Sequence, residues 1–117
     1  MSENSSQALS AAADFYRRRD KWIDWCLERD DLNPTARVVG IWMARRMNME
    51  TLDTWHQMGT MAAKLGVKTR TIIRAVQSLE EAGMIVVRRD GRRGVKKAVN
   101  RYELVFPWGE GDKNGTL

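Results

Sequence analysis

Between Lys68 and Gln77 the chain gathers the side chains best suited to reading a polar partner: Lys68, Thr69, Arg70, Thr71, Arg74 and Gln77. Ile72, Val76 and Leu79 recur there at i, i+4 and i+7, with Ala75 and Ala82 beside them, the spacing of one buried helix face. Arg70, Arg74 and Gln77 fall on the opposite side. A helix that buries one face and shows arginine and glutamine on the other suits hydrogen bonding to base edges in a DNA groove. An ordinary helical hairpin with a solvated basic face would share this pattern, so the rest of the chain must decide.

Other chemistries find little support. The single cysteine, Cys26, leaves no internal disulfide and no multi-cysteine metal site. The single histidine, His56, has neither a cysteine partner nor HExxH spacing, so zinc is not expected. The sequence holds no GxxxxGKS/T phosphate loop and no nucleophile–base spacing. The expectation is therefore a binding protein, not an enzyme, with no cofactor, no metal and no small-molecule ligand. No run of 18 apolar residues is present, so no membrane span is expected. The opening MSENSSQALSAAADF lacks the basic and apolar regions of a secretory signal. A reduced, cytoplasmic setting follows as the expectation.

Charge placement sharpens the nucleic-acid reading. The formal net charge of the 117 residues is +5. Residues 64–101 alone hold eleven Lys or Arg against three acids, a local +8, while the flanking segments are slightly acidic. A surface built only for solubility would intersperse both signs. Cations gathered in one third of a chain instead suit phosphate neutralisation and counterion release.

The elements that must position these residues read as follows. Residues 1–10 are expected to be disordered, and residues 11–31 to hold an N-terminal helix over 11–29. Phe15, Trp22 and Cys26 lie along one side of that helix, with Trp25 broadening it. This face can complete the core of one chain, or serve as the interface of a homodimer; the homodimer is the expectation. Asn33 and Pro34 form an N-cap and first-turn pair, opening a second helix that reaches about residue 47 with a wide apolar band of Val38, Val39, Ile41, Trp42, Met43 and Met47. A loop follows, ending in a short strand over residues 54–56. Met61, Ala62 and Leu65 then mark a third helix, Gly66 a tight turn, and residues 69–82 the helix of the opening paragraph, closed by Gly83. Residues 84–89, with β-branched Ile85, Val86 and Val87, read as a strand, Asp90-Gly91 is a hairpin signal, and residues 98–106 alternate with Tyr102, Leu104 and Phe106 as the core face. Residues 107–117 read as a flexible tail.

The run from Met61-Ala62 through Leu65-Gly66-Val67, Thr71-Ile72, Ala75 and Leu79-Glu80 to Ala82-Gly83-Met84-Ile85 resembles the pattern of winged helix-turn-helix DNA-binding domains. Leu32-Asn33-Pro34-Thr35-Ala36-Arg37-Val38-Val39 and Asn100-Arg101-Tyr102-Glu103-Leu104 are similar to the first helix and returning strand of such domains in phage and plasmid replication proteins. Bacterial regulators of the MarR and GntR type share the same core. The resemblance spans residues 32–106 and implies a mainly α fold with a small β-hairpin, carrying an extra N-terminal helix.

It implies that Lys68, Thr69, Arg70, Thr71, Arg74 and Gln77 belong to a recognition helix in the major groove, with Arg70 or Arg74 on guanine and the threonines on phosphate. Arg89, Arg92, Arg93, Lys96 and Lys97 would form a wing on phosphates or in the minor groove. Lys68 stands where such domains carry a capping serine or threonine, so the cap is expected to shift to Thr69. Ile73 would touch a thymine methyl or pack on a neighbouring helix. The expected partner is double-stranded DNA and the expected role transcription regulation. An origin-binding or replication-accessory role in a mobile element, and a protein-interaction module, are the alternatives.

Overall fold

A computed structural model of the chain describes residues 2–89 and 100–108, with side chains from residue 10 onward. Its elements are α1 (Ser2–Glu28), α2 (Pro34–Ala44), β1 (Asp53–Trp55), α3 (Met58–Leu65), α4 (Thr69–Glu81), β2 (Ile85–Arg88) and β3 (Arg101–Leu104). The chain is thus mainly helical with one small antiparallel sheet.

The second helix starts where the Asn33-Pro34 pair places it. Asn33 Oδ1 accepts the Ala36 N–H at 2.8 Å, and Pro34 occupies a first-turn position that has no use for an N–H. Its buried side differs from the expected wide band. Ala36, Val39, Gly40, Met43 and Ala44 face inward, whereas Val38 is 51 % exposed and Ile41 and Trp42 are half-buried. The small residues are what the packing selects. A Cβ at Gly40 would lie 3.1 Å from Trp22 Cη2 and 3.2 Å from both Cys26 Sγ and Leu79 Cδ2. Gly40 therefore marks the point where α1, α2 and α4 meet. The helix ends at Ala44, and Asn48 organises the turn that follows by accepting the Glu50 and Thr51 N–H groups. That turn starts β1 at Asp53, one residue earlier than expected.

The N-terminal helix corrects two expectations. It begins at Ser2, so the backbone is helical where a disordered lead-in through residue 10 was expected. Ser2–Ser10 contains no glycine or proline, and extending an existing helix needs only one residue fixed per bond. Phe15, Trp22 and Cys26 are not available as a dimer face, because they are buried in the chain's own core. Trp22 Nε1 donates to the Met84 carbonyl oxygen at 3.1 Å, tying α1 to the segment after α4. Burial pushes the Cys26 thiol up to about 11, outweighing the opposing pull of Arg37 and Arg29. Trp25 is half-buried and meets Trp108 edge-on at 5.7 Å, and Lys21 Nζ lies 4.7 Å from the Trp108 ring centre. Trp108 is thereby docked on α1, so residue 108 is not part of a free tail; residues 109–117 lie outside the described residues.

The sheet has the order β1-β3-β2, with Thr54, Tyr102 and Val87 in register across it. All three are buried, as are Ile85 and its partner Leu104, so one face closes the core. Tyr102 and Leu104 are the core-facing residues expected from the alternation. The strands are shorter than expected, and β1 adds a third strand to what read as a two-stranded hairpin. The hairpin tip, with Asp90 and Gly91, lies outside the described residues.

Candidate nucleic-acid interface

The helix pair α3–α4 is set by its two ends. Gly66 takes φ +68°, a left-handed conformation that side chains with a Cβ disfavour, and the Val67 N–H closes on the Ala62 carbonyl at 3.0 Å. Gly83 takes φ +73°, its N–H bonds Glu80 O at 3.0 Å, and Met84 N–H bonds Leu79 O at 3.0 Å, the paired bonds of a Schellman stop. Between them Ile72, Ala75, Val76 and Leu79 are buried. At about 1.5–3 kcal/mol for each large side chain, that stripe fixes which face of α4 turns outward.

The outward face is the one the spacing predicts. Arg70, Arg74 and Gln77 are exposed, Lys68 and Thr69 are exposed at the helix start, and Thr71 is half-buried. Among the described residues neither Arg70 nor Arg74 forms an ion pair, so both guanidinium groups are available to a partner. Ile73 is 39 % exposed, which leaves it at the edge of this face rather than packed under a neighbouring helix. Lys68 is the N-cap residue with extended backbone and no side-chain cap bond, so the expected shift of the cap to Thr69 does not occur. An ammonium has no acceptor to offer the helix N–H groups.

The base of the β2–β3 pair is organised by carboxylates. Arg89 makes two bonds to Glu80, at 3.0 and 3.1 Å, which link the strand end to the last turns of α4. The same bond holds the Glu80 carboxyl below its usual range. Arg88 faces Glu103 across the strands at 3.4 Å. Arg89, expected among the DNA-binding cations, is thus engaged within the chain. Arg92, Arg93, Lys96 and Lys97 lie outside the described residues.

One feature of this region has no signal in the sequence. Asn33 and Thr35 at the start of α2 and Thr71, Arg74 and Ala75 of α4 line a common cavity of about 190 Å³. The two groups are more than thirty residues apart, and only the packing of α2 across α4 joins them. Among the described residues no group of three His, Cys, Asp or Glu could hold a metal ion, and no helix is long and apolar enough to cross a membrane.

Two short helices joined at a left-handed glycine, braced by a preceding helix and followed by a small antiparallel sheet, define a helix-turn-helix protein. Residues 30–85 match the family model described as a helix-turn-helix domain, which supports DNA binding in general. The match takes in α2, β1, α3 and α4 and leaves α1 and β3 outside it. No curated protein and no solved structure matches the chain.

Proposed function

We propose that this protein is a sequence-specific double-stranded DNA-binding protein that regulates transcription, with the exposed face of α4 in the major groove and the wing on phosphates. The observation that carries this reading is the pair of unpaired guanidinium groups, Arg70 and Arg74, beside Gln77 on the face opposite the Ile72, Val76 and Leu79 stripe. The local excess of basic charge over residues 64–101 supports it, since phosphate neutralisation supplies affinity without sequence. The protein acts by binding, in the compartment that holds the DNA, and carries no catalysis of its own. As a regulator it works as a homodimer, which sets two copies of α4 about 34–36 Å apart on a two-fold site. Its interface is then not the buried face of Phe15, Trp22 and Cys26.

A gel-shift series on a duplex selected by the wild-type chain tests the reading. A base-reading arginine is worth about 1–3 kcal/mol, so Arg70→Ala with Arg74→Ala should weaken binding by about tenfold or more. Unchanged binding would remove α4 from the interface, and no DNA affinity even at low salt would favour a protein-docking module. The likeness of the Leu32–Val39 and Asn100–Leu104 stretches to replication proteins keeps one second reading, an origin-binding role. Binding sites mapped in the genome to promoters support regulation, and sites at a replication origin support the other.

A further inference from the structure

Arg70 and Arg74 do not occupy equivalent places on α4. Successive helical residues turn by about 100°, which brings Arg70 and Gln77 within about 20° of one another and sets Arg74 about 40° round from Arg70, toward Thr71. Arg74 and Thr71 then meet α2 along that flank, where they line the cavity of about 190 Å³ with Asn33, Thr35 and Ala75. Arg70 and Gln77 do not line it.

The chemistry of this notch is that of an oxyanion site. Its lining residues carry one guanidinium, two threonine hydroxyls and one amide, and none of them carries a carboxylate. Asn33 Oδ1 already accepts the Ala36 N–H at 2.8 Å, so the amide's remaining capacity is chiefly that of its NH₂ donors. The volume equals that of about six waters at roughly 30 Å³ each, enough for a phosphate group.

We infer that a DNA backbone phosphate seats in this notch between α2 and α4, held by Arg74, Thr71 and Thr35, so that Arg74 positions the protein while Arg70 reads sequence. The inference rests on the proposed major-groove placement of α4. A major groove about 12 Å wide accepts a helix about 10–12 Å across, so side chains at the helix flank meet the backbone that walls the groove, and those at its centre meet base edges. The contact extends the interface to α2, an element outside the α3–α4 pair.

The full chain and its Arg70→Ala, Arg74→Ala, Arg74→Lys and Thr35→Ala variants, each checked for an unchanged far-UV spectrum and melting transition, are used to select duplexes from a pool with a randomised core. Affinities are then measured on the selected and an unselected duplex from 50 to 200 mM salt. Arg74→Ala should select the wild-type sequence and weaken both duplexes alike. Its salt slope should fall by about one, so that it loses about 3.5-fold less affinity than wild type over that fourfold salt range. Arg74→Lys keeps the point charge and should restore most of the slope while selecting the wild-type sequence. Thr35→Ala should weaken both duplexes by about two- to tenfold. Arg70→Ala should change the selected sequence. An altered selected base with Arg74→Ala, or an unchanged salt slope, would overturn the phosphate assignment while leaving α4 as the reading helix. A wild-type chain that selects no sequence and has no affinity for either duplex would overturn both.

Discussion

Gly40 shows how much a single residue can govern in this chain. It has no side chain, yet Trp22 of α1, Cys26 of α1 and Leu79 of α4 all lie within 3.2 Å of where a Cβ would stand. Gly40→Ala sets two effects against each other. Helix propensity favours alanine by about 1 kcal/mol, while overpacking a closed core costs about 1–3 kcal/mol. Because the three neighbouring atoms come from two different helices, one side chain cannot simply swing away, and overpacking should win. Urea unfolding should show a net loss of up to about 2 kcal/mol. A stabilised variant would mean that α1 is not seated in the core. Such a residue could not be read beforehand, since its importance exists only once three helices are assembled. Thr35 is the same case at the surface, because its neighbours Thr71 and Arg74 are remote in sequence. By contrast Arg70, Arg74 and Gln77 were legible as an exposed set, because helical spacing alone puts them opposite Ile72, Val76 and Leu79.

At the scale of elements, the turn between α3 and α4 sets the angle at which α4 is presented. Gly66 stands at φ +68° with open space where a Cβ would be, so an alanine there meets no neighbour and only the backbone is strained. Gly66→Ala should therefore cost about 1–2 kcal/mol in chemical denaturation, and Gly66→Asn should recover part of it, since asparagine tolerates the left-handed region better. An alanine variant as stable as wild type would contradict the turn. Helix ends of this kind were legible because glycine, asparagine and proline act locally: Asn33-Pro34, Gly66 and Gly83 all stand where expected. The third strand was legible to within one residue, but its pairing was not. Three residues of β1 carry little periodicity, and their pairing to β3 joins positions about fifty residues apart. The role of α1 was ambiguous for a different reason. An apolar stripe of Phe15, Trp22 and Cys26 looks the same whether it is buried by the chain itself or by a second copy, and only the bond from Trp22 to the Met84 carbonyl and the contacts at Gly40 decide for the first.

Taken as a whole, the molecule holds one basic helix face outward on a core sealed from behind by α1 and α2 and from the side by a three-stranded sheet. Arg89 and Glu80 join the strand end to the last turns of α4. The domain match at residues 30–85 covers the helix-turn-helix and α2, while Phe15, Trp22 and Cys26 of α1 come from outside it and complete its core. The most direct test of DNA reading by α4 follows the backbone amides of the isotope-labelled full chain by NMR as a selected duplex is added. The largest shifts are expected over residues 68–77, with weaker ones at Asn33 and Thr35 and little change along the exposed side of α1. Largest shifts on α1 or around residues 46–56, with residues 68–77 unmoved, would contradict it.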